Sequence, residues 1–406
     1  MRKWILCFAL LLTACGLGSD PTPYLVTLTP APTQRVAVTV GATDTIVAPT
    51  ATPAPTTAPT QIPDTQAPAP PTPVPPTPEP TQDPWPPELA APGNSKMGIH
   101  VLFSDDSRIM EFIRRVKPRV VKAVDNHGWL AEVKQISPQT ITIGRYSNVP
   151  NRDVLDGKDP SQYPNPADFA RDFINLYLGE YLSNPGVDYW EGWNEFPPST
   201  PDQWKWYAAF EAERACQMQA LGLKAAIGGF SAGKPEYPDI AYFIPAIEAV
   251  QRCGGILTLH EYSSPVMQYG VDGGIPNAIH VEDAGALTLR YRYWYEGYLK
   301  PRGLVVPLVI SEAGIDGGAG AGCPLSQGGH GWYSCIGDWQ AMDQYRDMAA
   351  WQIYMSQLSW YDSELRQDDY VLGFTVFTAG TSNNPDWRTF DINDMLVPMA
   401  VYMAGQ

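Results

Sequence analysis

Positive charge is scarce in this chain: 27 Lys and Arg stand against 43 Asp and Glu, for a formal net charge of −16. Such a surface repels phosphate backbones and anionic lipid heads, which excludes nucleic acid as a partner and favours a neutral or cationic one. Long apolar runs are also missing, since none approaches the ~20 residues that span a bilayer. There is no glycine-rich phosphate loop, no C-x-x-C pair and no EF-hand pattern, so no nucleotide, zinc or calcium site is expected and no cofactor or metal is implied. What the chain does hold in quantity is flat apolar surface, with 13 Trp and 21 Tyr. Such faces suit sugar rings as well as protein cores.

The N-terminus reads as an export signal. Met1, Arg2 and Lys3 supply positive charge, Trp4 to Leu12 form a short apolar run, and Leu12-Thr13-Ala14-Cys15 follows. That ending resembles a bacterial lipobox, which implies lipidation at Cys15, attachment to the membrane through that anchor only, and a location on its extracellular face or in the medium. Residues 1–15 are therefore signal and anchor. Residues 16–92 gather much of the chain's 41 prolines, with Thr and Ala. That composition buries too little apolar surface to fold and reads as an extended spacer. Of the six cysteines, four lie beyond this region: Cys216, Cys253, Cys323 and Cys335. An even number in an exported chain suggests disulfides, and Cys323 with Cys335 is the most local of the possible pairs. The remaining assignment, Cys216 with Cys253, is left open by spacing alone.

Residues 93–406 alternate short β-rich runs with helical stretches, which argues for βα units on a parallel sheet. Eight runs qualify: Met97–Leu102, Arg119–Asp125, Thr140–Tyr146, Tyr189–Glu195, Lys224–Ser231, Ile256–Ser263, Leu308–Gly314 and Val371–Thr378. Pro201 behind Thr200 opens a helix through Leu221, and Asp338 to Leu358 reads as one long helix. The expected fold is a (β/α)₈ TIM barrel, acting as a monomer. Such barrels carry their chemistry at the C-terminal ends of the strands. Those ends hold Asp125, Arg145, Asn194, Glu195, Ser231, His260, Tyr262, Glu312 and Phe377.

Two glutamates on one barrel rim suit glycosidic cleavage, which needs a proton donor for the leaving oxygen and a carboxylate for the anomeric carbon. Glu191-Gly192-Trp193-Asn194-Glu195 resembles the E-x-W-N-E signature of clan A glycoside hydrolases. Ser311-Glu312-Ala313-Gly314 is similar to that clan's seventh-strand E-x-G, and His260-Glu261-Tyr262 to its sixth-strand H-x-Y. The resemblance implies retaining hydrolysis of O-glycosidic bonds, with Glu195 as acid/base and Glu312 as nucleophile, and the aromatic loops suit a β-linked polysaccharide. It also implies a sugar-binding Asn194 and a Tyr262 that orients the nucleophile. His260, Arg145, Asp125 and Phe377 are further candidates for the substrate site. Glu191 is expected to be structural, paired with Lys122 or Arg145, and Glu261 to face away from the site.

The pattern departs from the clan in three places. Phe196 follows Glu195 where proline is usual. The arginine that many members carry near the second strand to support the nucleophile is not matched. That strand offers Lys122 and Asp125, and the nearest arginine at a strand end is Arg145 on the third. The eighth strand offers Phe377 where a tryptophan floor is usual, leaving Trp332, Trp339 and Trp387 as loop substitutes. His127 and Trp129 are candidate cleft residues after the second strand. Two other readings stand beside this one. A non-catalytic carbohydrate-binding lipoprotein can use the same scaffold. Gly229-Phe230-Ser231-Ala232-Gly233 matches the G-x-S-x-G elbow of serine esterases, but Pro235 and Pro238 interrupt the helix that an elbow requires.

Overall fold

The computed structural model describes residues 83–149, 153–196, 198–324 and 329–406. The signal segment, the Cys15 anchor and the spacer up to residue 82 lie outside the described residues. Residues 83–92, at the end of the proline-rich stretch, run beside the first barrel helix. Leu89 N–H donates to the Arg115 carbonyl at 2.8 Å and Arg115 reaches Asp83 at 2.7 Å.

Eight parallel strands close into a barrel in sequence order. They are β1 (Met97–Val101), β2 (Val120–Val124), β3 (Ile141–Arg145), β4 (Tyr189–Glu191), β5 (Ala225–Phe230), β6 (Ile256–Ser263), β7 (Leu308–Ile315) and β8 (Val371–Ala379). Around them run α1 (Ser107–Val116), α2 (Leu130–Ile136), α3 (Pro166–Ser183), α4 (Pro201–Ala220), α5 (Ile240–Cys253), α6 (Tyr291–Trp294), α7 (Ile336–Ala341), α8 (Ala350–Leu365) and α9 (Leu396–Ala404). The Pro201 helix starts as expected, with the Thr200 hydroxyl accepting from Gln203 N–H at 3.2 Å. The expected single helix over 338–358 is two helices, α7 and α8. Trp339, fully buried at the end of the first, donates its indole N–H to the Pro265 carbonyl at 2.6 Å. The chain turns after that anchor and restarts where Gln352 accepts from Ala349 N–H.

Strand alternation sorts the side chains. Met97, Ile99 and Val101 face the helices and join the main core, as do Leu257, Leu259, Leu308 and Ile310. Inside the barrel, Val120, Ile143, Ala226, Ile256 and Val309 form a small apolar plug. Two residues further along the same inward faces come Lys122 from Val120 and Arg145 from Ile143, so a polar layer sits on the plug. The barrel is thus a packed core whose polar layer lies at the C-terminal end, as this fold requires.

Gly98 shows how tightly β1 is held. A Cβ there would lie 1.9 Å from the Val120 carbonyl oxygen and 3.3 Å from that of Phe374. Both obstacles are backbone of the flanking strands and cannot move aside. Gly98→Ala is expected to abolish the cooperative thermal transition or soluble expression altogether. An Ala variant melting within a few degrees of the parent would show that the β1 contacts are looser than this.

Two disulfides close loops, Cys216–Cys253 between α4 and α5 and Cys323–Cys335 after β7. The second is the expected pair. Bridges of this kind suit an oxidising, extracytoplasmic compartment. Among the described residues no helix is long and apolar enough to cross a membrane.

Candidate active site

The polar layer converges on Glu312. By strict alternation Glu312 would face the helices, because Ile310 does. A register shift in β7 between Ile310 and Ala313, where consecutive Leu259 and His260 of β6 face Ile310 and Glu312, inserts an extra residue in β7 and turns the Glu312 side chain inward. There its Oε1 accepts from Lys122 Nζ at 2.9 Å, and its Oε2 accepts from the Tyr262 hydroxyl at 3.0 Å. The Tyr262 contact is the one implied by the sequence resemblance. Arg145 and His100 each approach Oε1 at 3.7 Å. Burial alone would raise the Glu312 pKa, but the surrounding His260, Lys122, His100 and Arg145 hold it well below the usual carboxylate range. Burial also pushes the His100 pKa well below the ordinary histidine value, against the pull of Glu312.

Lys122 serves two carboxylates, because its Nζ also lies 2.8 Å from Glu191. Glu191 thus pairs with the expected Lys122, with Arg145 a second, longer neighbour at 3.7 Å. On the second strand it is the buried Lys122 ammonium that contacts Glu312, at 2.9 Å. The sequence pattern points to Glu191 as the partner of Lys122, and closure of the barrel adds Glu312. His100 is marked by no motif, although it shares the inward face of β1 with Gly98.

The fourth strand ends earlier than expected, at Glu191 rather than Glu195. The Trp193 ring explains the difference. It packs outward against Phe169, Phe173 and Phe210 of α3 and α4, so the backbone leaves the sheet after Glu191. Glu195 then sits in the left-handed region at φ 50°, with its N–H bonded to the Gly229 carbonyl at 2.9 Å. This holds a non-glycine residue in a sparsely populated conformation, and its carboxylate reaches the barrel mouth.

His260 joins the two glutamates. Its Nδ1 is 2.9 Å from Glu195 Oε1 and 3.5 Å from Glu312 Oε2. One oxygen of each carboxylate and one His260 nitrogen all lie within 4.8 Å of one another. These three are the sole potential metal-ligand group among the described residues. The cations Lys122 and Arg145 already attend Glu312 and oppose a further positive charge, so the donor set fits a metal poorly. Glu261 points to the helix side, as alternation required, and accepts from Leu289 N–H, Tyr291 N–H and the Tyr361 hydroxyl.

A cleft of about 390 Å³ opens over this group, and Asp125, Arg145, Asn194, Glu195, Tyr262, Glu312 and Phe377 all line it. Asp125 is itself engaged, accepting from Ser147 N–H at 2.7 Å and the Ser147 hydroxyl at 2.6 Å. Asp316, Phe103 and Trp387 also line the cleft. Of the three tryptophan candidates only Trp387 reaches it. Trp332 and Trp339 are buried, their indole N–H groups committed to the Asp391 and Pro265 carbonyls. His127 is buried edge-on to Trp190, and Trp129 bonds back to Asn126. Neither belongs to the cleft. Ser231 follows β5 but leads into a turn, and the next α-helix waits until Ile240. The strand–turn–helix of an esterase elbow is missing there.

No protein-family model matches this sequence, and no curated protein matches it. Solved structures share the barrel. A family 39 glycoside hydrolase from Bacteroides cellulosilyticus aligns with a TM-score of 0.48 and 12% identity, over 77% of this chain and 64% of that one. The chain therefore spans less than two thirds of that protein's length. An endo-β-1,4-glucanase from Xanthomonas axonopodis pv. citri gives 0.39 at 12% identity, over 77% of this chain and all (100%) of the other. An endo-1,4-β-D-mannanase from Thermotoga petrophila gives 0.37 at 13%, over 76% and 99%. The likeness is one of fold.

Proposed function

We propose that the chain hydrolyses O-glycosidic bonds with retention of configuration, on an extracellular, β-linked oligo- or polysaccharide. In this reading Glu312 is the nucleophile and Glu195 the acid/base. The observation that carries it is the pairing of two unlike glutamates in one cleft, with carboxylate oxygens no more than 4.8 Å apart. Retaining enzymes hold their carboxyl groups ~5–5.5 Å apart, whereas inverting ones leave room for a water at ~6.5–9.5 Å.

The surroundings divide the labour. The Glu312 side chain is 7% exposed and ringed by cations, which keeps it ionised and able to attack the anomeric carbon. The Glu195 side chain is 36% exposed on the cleft side, within reach of a leaving-group oxygen and then of water. Attack by Glu312 forms a glycosyl ester as Glu195 gives its proton to the departing oxygen. Water then displaces the ester while Glu195 takes a proton back. Asn194 supports the reading further, since its buried Oδ1 has no hydrogen-bond partner among the described residues and fits a sugar hydroxyl.

The residues from 93 to 406 screened against a polysaccharide panel should release reducing sugars, and a slow fluorosugar of the released type should label Glu312. A label on another residue would remove Glu312 from the nucleophile role. Glu195→Ala is expected to lose about 10²–10⁴-fold on substrates with poor leaving groups, much less on activated aryl glycosides, and to be partly rescued by azide. Equal losses on both substrate types would deny Glu195 the acid role. Export and lipid anchoring through Cys15 form a separate part of the proposal. Metabolic labelling with a radioactive fatty acid should mark the full chain and not Cys15→Ser.

A further inference from the structure

We propose that the loop between β1 and α1 is a pre-built sugar subsite beyond the reacting glutamates, with the Phe103 ring as its platform and the Asp105 carboxylate as its hydroxyl acceptor. The inference rests on the hydrolase reading and deepens it. The site is built for a chain of sugars, and a single glycosyl unit leaves much of it empty.

Three cavities meet at Phe103. The cleft over Glu195 and Glu312 is continued by one of about 420 Å³ towards the β8 loop and one of about 320 Å³ towards the end of β2. Phe103 lines all three, and Asp105 lines both continuations. Each alone is at the lower end of the ~300–1,000 Å³ usual for small-molecule sites. Joined, they make a trench longer than the reacting centre requires.

The loop that shapes the trench is rigid. Leu102 N–H donates to the Ala379 carbonyl at 3.2 Å, carrying the β1–β8 pairing one residue past the strand. Gly380 is pressed against the Phe103 backbone so closely that a Cβ there would lie 1.8 Å from the Phe103 carbonyl oxygen. Asn393 then clasps both sides, its Oδ1 accepting from Gly380 N–H and its Nδ2 donating to Asp106 Oδ2, each at 2.9 Å. Asp106 in turn caps α1 through Arg108 N–H at 2.9 Å. A backbone held this firmly nonetheless leaves Phe103 47% exposed. Folding gains little from that arrangement, whereas a ligand gains a platform whose ordering cost is already met. The apolar face of a pyranose can lie on the ring.

Beside the ring, Asp105 makes no hydrogen bond or ion pair among the described residues and is exposed. Its two oxygens are free to accept from sugar hydroxyls at the edge of a stacked ring. Asp125 stands nearby, Asp106 is neutralised by Arg108 at 2.8 Å, and Lys122 and Arg145 are committed to Glu191 and Glu312. The trench is therefore suited to neutral sugars and repels uronate or sulfated chains.

The test uses cellohexaose, mannohexaose and xylohexaose, with an aryl glycoside of whichever sugar is cleaved. Phe103→Ala is expected to lower kcat/KM on the cleaved hexasaccharide about tenfold more than on the aryl glycoside, and to be rescued by Phe103→Trp. A hexasaccharide cleaved equally well by the variant would overturn the subsite and leave the hydrolase reading intact. If no glycan is turned over, calorimetric binding of the hexasaccharides decides. Binding weakened about tenfold by Phe103→Ala keeps the subsite and removes the hydrolase reading. Absence of both binding and turnover removes both.

Discussion

Replacing Glu312 by Gln is expected to lower kcat by at least about 10⁴-fold while leaving the fold and glycan binding in place. The amide occupies nearly the same volume and can still accept from the Tyr262 hydroxyl, now at 3.0 Å from Oε2. Lys122 is not stranded by the change, because Glu191 remains 2.8 Å from its ammonium. What disappears is the electron pair that forms the glycosyl ester. The control is binding of the cleaved glycan by calorimetry, which should stay within a few-fold of the parent. If the Gln variant kept kcat within tenfold of the parent, no covalent step through this residue would remain tenable.

Lys122→Met carries the second large effect, and it acts on stability and on pH dependence together. The ammonium is fully buried and pairs with both Glu191 and Glu312. Removing one partner of a buried pair costs about 3–5 kcal/mol, because the remaining charges stay in the interior without compensation. A fall in Tm of roughly 5–15 °C follows. The direction with pH can be worked out. In the parent the folded Glu312 pKa is depressed by its neighbouring charges despite the opposing effect of burial. Its contribution to stability is thus present above the unfolded carboxylate pKa, about 4.3. It is lost as pH falls through the lower, folded value. The parent should consequently hold the nucleophile ionised well into the acid range. Without Lys122 the desolvation that opposes ionisation is no longer outweighed to the same extent, so the folded pKa rises. The acid limb of kcat/KM then moves towards neutrality, and kcat at neutral pH falls about a hundredfold. Lys122→Arg keeps the charge and should hold the acid limb close to its original position. If Lys122→Met lost activity through folding alone, the acid limb of the surviving fraction would not move.

Much of this site is legible in the amino-acid order because barrel strands are short, repeat eight times, and end in their reactive residues. Strand order locates the Glu195 and Glu312 motifs. Tyr262 and Asn194 follow from the same motifs, and the outward turn of Glu261 follows from alternation alone. Other features are hidden for physical reasons. The end of β4 is set by where the Trp193 ring finds room among the aromatics of α3 and α4, a long-range packing matter. The inward turn of Glu312 depends on a bulge, and bulges arise from the register between two strands, which no single strand records. Trp332, Trp339 and Trp387 look alike in sequence, but the first two are buried with their N–H groups satisfied by distant carbonyls. Only Trp387, 41% exposed, is left for the cleft. Phe103 gives no signal at all, since an aromatic after a strand is usually core.

By itself the sequence determined the eight-fold βα alternation, the closed barrel, the acidic surface and the two glutamates at its rim. Each of these is a local or periodic property that neighbouring residues encode. Only the tertiary structure decided that Lys122 sits beneath both Glu191 and Glu312, that His260 lies between the two proposed catalytic carboxylates, and that a rigid loop offers Phe103 to the same cleft. Those facts depend on distances between strands far apart in the chain, which closure of the barrel alone sets.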